Sequence, residues 1–310
     1  MRHLRLCSPD RLALSLLVLG WSSPAVPQRP LPAQEKTAVV SGGRHDSLPQ
    51  LARLTPPVRG IPFGPWSVPT HLIGTEYTGT VLTGVAPYRN LEEIRKRKGQ
   101  VVLYLARNKS RQQGVISVAA VQRYLDTWPD IGPYIKDGTV WGFMVSDDIT
   151  GKNIWGPDAP YYSQIDSIAR LVKERWPGAR TAVRAPVNKL EYPWKWVDWA
   201  WVQYSSRYGE VEGYRDRQLA RADELKLCVV FGLNTLNGGD GSSGKKSRKL
   251  RAQMTPEEIL KYYSALLPYT PLAFHWEYRP EFDENPEIRA AMQKVRSWAD
   301  TTARPSCRYQ

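Results

Sequence analysis

Thr139–Asp148, TVWGFMVSDD, reads as a buried strand that ends in two carboxylates, and the loop ITGKNIWGPD (Ile149–Asp158) follows it. Strict alternation would put Trp141, Phe143, Val145 and Asp147 on one face. Gly142, Met144, Ser146 and Asp148 would then share the other face. Apolar residues on both faces mark a strand covered on both sides, as in a parallel sheet wrapped by helices. Acidic groups at the C-terminal end of such a strand stand where α/β folds place their chemistry.

Working outward, strand and helix patterns alternate. Strand patterns occupy Tyr77–Gly84, Gln100–Arg107, Thr139–Asp148, Thr181–Pro186, Asp198–Ser205, Leu227–Asn234 and Pro271–Tyr278. Helical spacing between them is clearest in Pro160–Gly178, with Ile165, Ile168, Val172 and Trp176 on one stripe. It recurs in the last helix, with Ile288, Ala291, Met292, Val295 and Trp298. Asn90 with Glu93 reads as a capping box, Ser117 opens a second helix, and Thr255-Pro256-Glu257-Glu258 has N-cap, Pro at N1 and Glu at N3. Seven βα units imply a (β/α)8 TIM barrel, irregular in one unit. Pro62–Val68 (PFGPWSV) or an unrecognised connection supplies the eighth strand. An open doubly wound sheet is the alternative, but no Gly-rich phosphate loop follows the first strand.

The chain has 310 residues and a net charge of +13, with 12 Trp and 16 Tyr, more aromatics than a core requires. No nucleic-acid motif accompanies the charge, so a solvated basic surface is its plainest meaning, and nucleic acid is not an expected partner. Met1–Ala25 reads as a secretory signal: Arg2, Arg5 and Arg11, then the apolar run Leu12–Trp21, then Ser23-Pro24-Ala25 at the cleavage site. That run is too short to span a bilayer, and no later stretch approaches membrane length. Val26–Pro57, rich in Pro, Gln, Ser and Gly, reads as a tether, and residues 58–310 as the barrel. The expected location is therefore secreted or periplasmic. Export would permit a disulfide between Cys228, at the start of a strand, and Cys307, after the last helix; two free thiols are the alternative.

Several stretches together resemble one family. They are GIPFGPW (Gly60–Trp66), SDD (Ser146–Asp148), WPGARTAVR (Trp176–Arg184), DWAWVQYSSRYGEV (Asp198–Val211), GLNTLNGG (Gly232–Gly239) and HWEY (His275–Tyr278). The family is a group of exported bacterial proteins of unassigned activity with a glycosidase-like (β/α)8 barrel. The resemblance runs from Gly60 to the C-terminus and implies carbohydrate chemistry. In that group the strand corresponding to Thr139–Asp148 often ends in Asp-Glu-Pro, whereas Asp148 and Ile149 stand here in place of Glu and Pro.

Glycoside hydrolysis needs two carboxyl groups flanking one bond. The candidates are Asp148, with Asp147 as its neighbour, and Glu277 from the strand across the barrel. The plainer alternative has Asp147 and Asp148 capping loop amides or binding Arg184. For binding sugar, including an anionic sugar through Arg184, the candidates are Arg184, Gln203, Tyr204, Asn234, Trp276 and Trp155. No cofactor is implied. Only His45, His71 and His275 lie beyond the signal, without HExxH or paired-Cys spacing, which argues against zinc. Three functions follow: a hydrolase using Asp148 and Glu277, a non-catalytic carbohydrate-binding barrel, or an interaction protein whose basic loop Lys245–Arg251 holds an acidic partner.

Overall fold

Eight short parallel strands close on themselves, and the closure comes from the N-terminal side. The structure is a computed structural model that describes residues 60–105, 111–112, 115–150, 162–245 and 251–307, all within the compact unit Leu54–Gln310. The barrel strands are β1 (Phe63–Pro65), β2 (Gly79–Leu82), β3 (Gln100–Tyr104), β4 (Val140–Ser146), β5 (Thr181–Arg184), β6 (Trp199–Tyr204), β7 (Cys228–Leu233) and β8 (Ala273–His275). All neighbours pair in parallel, in the order β1-β8-β7-β6-β5-β4-β3-β2. β1 joins β8 through Phe63↔Ala273 and Pro65↔His275, while Trp66 bridges Val81 beyond its other edge. The eighth strand is therefore the PFGPWSV stretch, and the doubly wound alternative is excluded. A short antiparallel hairpin, Arg111–Gln112 with Val115–Ile116, lies outside the barrel sheet.

Helices α1 (Leu91–Lys96), α2 (Val118–Asp126), α3 (Gly132–Lys136), α4 (Tyr162–Arg175), α5 (Val211–Leu225), α6 (Pro256–Leu266), α7 (Pro280–Asp283) and α8 (Pro286–Thr301) accompany the strands. Among the described residues none is long and apolar enough to cross a membrane. Local chemistry sets several ends. Thr255 and Glu258 form the full capping box of α6, and Ser117 accepts from the Ala120 amide at the start of α2. Asn90 does not cap α1: its amide donates to Thr70 Oγ1 at 3.2 Å, and Glu93 pairs with Arg97 instead. Between β5 and β6 there is no α-helix, only a 3₁₀ turn at Val187–Lys189. Asp166 of α4 supports that connection by accepting from the Lys195, Trp196 and Val197 amides at 2.8–3.3 Å.

Two apolar layers result. The outer one packs helices on strands and includes Phe143, Val145, Ile165, Ile168 and Val172. Phe143 stacks on Trp176 with ring centroids 5.2 Å apart. The inner one fills the barrel with Trp66, Val81, Val102, Trp141, Met144, Trp199, Trp201, Val230 and Phe274. The strict alternation expected for β4 does not hold. Its pairing with β3 passes from Val140 to Gly142, and the skipped Trp141 turns into the barrel against Trp199, at 5.0 Å. Gly142 is required at that point, because a Cβ there would stand 2.8 Å from the Arg180 carbonyl oxygen.

The C-terminal segment seals the end where the strands begin. Arg304 donates to the Pro271 carbonyl at 2.9 Å and to Gln100 Oε1 at 2.7 Å. Cys307 is disulfide-bonded to Cys228 at the start of β7, with Cα atoms 5.7 Å apart.

Candidate functional site

At the opposite end, where the strands finish, a cleft of about 200 Å³ opens. β4 delivers its two carboxylates there by breaking regularity. The strand stops at Ser146, and Asp148 takes a left-handed conformation with φ 47°, which Asp tolerates better than most residues. Asp147 and Asp148 therefore do not diverge to opposite faces. Both reach Arg184 at the end of β5.

Arg184 is the hub of this end of the barrel. Its Nε donates to Asp147 Oδ1, its Nη1 to Gln203 Oε1 at 2.7 Å, and its Nη2 pairs with Asp148 Oδ1 at 2.7 Å. Its guanidinium also lies over the Trp276 ring, 5.3 Å from the centroid. Burial alone would weaken its charge, but Asp147 and Asp148 outweigh burial and hold its pKa above the ordinary arginine value. Asp147 is buried, whereas the Asp148 side chain is 45% exposed and lines the cleft. The structural ion pair, the plainer of the two sequence expectations for Arg184, is thus present.

Because a guanidinium only donates, the Gln203 atom facing Arg184 must be its oxygen, and the amide nitrogen Nε2 points elsewhere. That Nε2 is buried and has no hydrogen-bond partner among the described residues. The same holds for Trp201 Nε1 and Asn234 Oδ1. All three residues line the cleft, together with Trp276, Ser205, Arg207, Tyr208, Asn237 and Arg251. Three residues carrying such groups thus line one cleft, and buried polar groups of this kind normally find partners.

The remaining candidates fall elsewhere. Glu277 does not line the cleft: β8 ends at His275, Trp276 turns to the opening, and the Glu277 carboxylate pairs with Arg279. Among the described residues Asp148 is the only acid that lines the cleft. Tyr204 is also displaced. It is buried between Tyr214 and Tyr262, and its hydroxyl donates to the Gly209 carbonyl at 2.5 Å. Burial, then Glu210 and Glu212, push that hydroxyl up to about 12. Trp155 lies outside the described residues, as do positions 246–250 of the basic loop.

Sequence reasoning missed Trp201, Ser205, Arg207, Tyr208 and Asn237, and it named Arg251 only as the end of the basic loop Lys245–Arg251. Part of the signal was present: in DWAWVQYS, residues 199, 201, 203 and 205 share one face by alternation, which selects Trp201 and Ser205 with Gln203 and excludes Tyr204. No such periodicity points to Arg207 or Arg251, which sit on loops.

No protein family matches the chain, and no curated protein matches it. Solved structures do. The β-galacturonidase from Eisenbergiella tayi, a GH2 enzyme bound to galacturonate, superposes with a TM-score of 0.51 and 10% identity over 76% of this chain and 46% of that one. An intracellular xylanase from Thermoanaerobacterium saccharolyticum gives 0.48 and 9% over 77% and 99%. The GH113 β-mannanase from Alicyclobacillus acidocaldarius gives 0.45 and 13% over 74% and 90%. Likeness at such identities concerns fold. The chain has a (β/α)8 barrel fold.

Proposed function

We propose that this is an exported, carbohydrate-binding barrel that holds a glycan in the cleft at the C-terminal ends of its strands without hydrolysing it. What supports binding is that Gln203, Trp201 and Asn234, whose buried Nε2, Nε1 and Oδ1 have no partner among the described residues, all line a cleft with Trp276 in its wall. A sugar presents hydroxyls that satisfy such groups and C–H faces that suit an indole. What counts against hydrolysis through Asp148 and Glu277 is the position of Glu277, outside the cleft and paired with Arg279. Asp147 is no substitute, since it is buried against Arg184.

Retention on insoluble xylan, mannan, cellulose and chitin, with reducing ends assayed in the supernatant, tests this reading. The expected result is retention on at least one polymer with no product, and retention unaffected by Glu277→Gln. Asn234→Ala should weaken binding roughly three- to tenfold, the value of one buried hydrogen bond. Release of reducing ends that Asp148→Asn and Glu277→Gln each abolish would establish the hydrolase instead.

Export is supported by the basic and apolar start of the chain and by its small-residue cleavage site. Protein recovered from the periplasm or medium of an expressing bacterium should begin at Val26. Retention of Met1–Ala25 on the recovered protein would contradict the proposal.

A further inference from the structure

The sequence suggested Arg184 as the group that would meet an anionic sugar. Arg184 lines the cleft but is already engaged by Asp147, Asp148 and Gln203. Of this group, the Asp148 carboxylate is the part most open to the cleft. Arg207 and Arg251 also line the cleft. Arg207 stands on the 3₁₀ turn Ser206–Tyr208 that follows β6. Its Nη2 donates to the Tyr208 hydroxyl at 2.9 Å, and its guanidinium lies over the Tyr208 ring, 4.9 Å from the centroid. That contact holds the cation in place without neutralising it.

Among the described residues, neither Arg207 nor Arg251 pairs with a carboxylate. Elsewhere on the surface arginines commonly do: Arg95 with Asp137, Arg97 with Glu93, Arg221 with Glu224 and Arg289 with Glu76. Two arginines with no counter-charge among the described residues, in the same small cleft as the Asp148 carboxylate, give the opening groups of both signs. We infer that the cleft selects a glycan bearing an anionic substituent, a ring carboxylate or a sulfate ester, which docks on Arg207 and Arg251 while ring hydroxyls donate to Asp148. The guanidinium fork suits either anion, because both offer two oxygens to paired N–H donors. The inference rests on the cleft binding carbohydrate and adds which carbohydrate it prefers.

Two matched pairs of soluble polymers test it: polygalacturonate with its fully methyl-esterified form, and dextran sulfate with dextran. Affinity is measured for each at low salt. In at least one pair the charged member should bind roughly tenfold tighter than its neutral counterpart. The pair that shows the preference tells carboxylate from sulfate. The preference should fade at about 0.5 M salt, where exposed charges are screened. Arg207→Gln with Arg251→Gln should bring the charged-to-neutral ratio close to one. Because the whole chain carries +13, the control removes equal charge outside the cleft, with Lys96→Gln and Lys294→Gln, and that variant should keep the preference. Equal binding of charged and neutral members overturns the inference, and so does an equal loss in the control variant. Failure to bind these four polymers or any of the insoluble ones would instead remove the carbohydrate reading beneath it.

Discussion

Replacing Arg184 with methionine is expected to destabilise the fold by about 3–5 kcal/mol, the range found when one partner is removed from a buried ion pair. The Arg184 and Asp147 side chains are only 12% and 10% exposed. Without the guanidinium, Asp147 is left charged in the interior next to a second carboxylate, Asp148. Gln203 also loses the donor that fixes its amide, and Trp276 loses the cation over its ring. Lysine should not rescue, because one ammonium cannot reach Asp147, Asp148 and Gln203 together with the planar fork of arginine. Urea unfolding measures the effect, as a lower midpoint at unchanged slope. The double variant with Asp147→Asn should recover a large part of the loss, since the buried charge that Arg184 offsets is then gone. A loss below about 1 kcal/mol would mean that water solvates Asp147 in the folded protein.

Removing the Cys228–Cys307 disulfide is the second large effect. The bond ties the start of β7 to the segment beyond α8 across 79 residues. Closing a loop of that length restricts the unfolded chain enough to stabilise the fold by about 2–4 kcal/mol. For a barrel of this size, that corresponds to a melting temperature roughly 5–15 °C lower after reduction or in Cys307→Ser. The segment also carries Arg304 onto Pro271 and Gln100, so its release should open the barrel end opposite the cleft first. Protein purified after export should show no free thiol until it is reduced, by a colorimetric thiol assay under denaturing conditions. Two free thiols before reduction, or unchanged melting after it, would count against the bond as a stabilising element.

Much of the architecture could be read from residue order because the signals involved are local. β-strand runs such as VWGFMVS and helical stripes such as Ile288, Ala291, Met292 and Val295 depend on spacing within a few residues. The capping box at Thr255 and Glu258 was legible for the same reason. The site was legible only in part. That acids and an arginine crowd the strand ends follows from where the strands stop. Which of them faces the opening does not, because it depends on how neighbouring strands pair.

The sequence by itself determined the alternating βα order, hence a barrel, and it marked Asp147, Asp148, Arg184, Gln203, Asn234 and Trp276 as strand-end residues. Tertiary structure alone decided that Pro62–Trp66 closes the ring and that Trp141 turns inward. It also decided that Glu277 pairs with Arg279 while Trp276 takes the cleft, and that Arg207 and Arg251 join it there. The reason is physical. Burial periodicity is set by each strand's own backbone geometry, but one skipped residue or one left-handed φ reverses the face of everything beyond it. Both are imposed by partners distant in the chain.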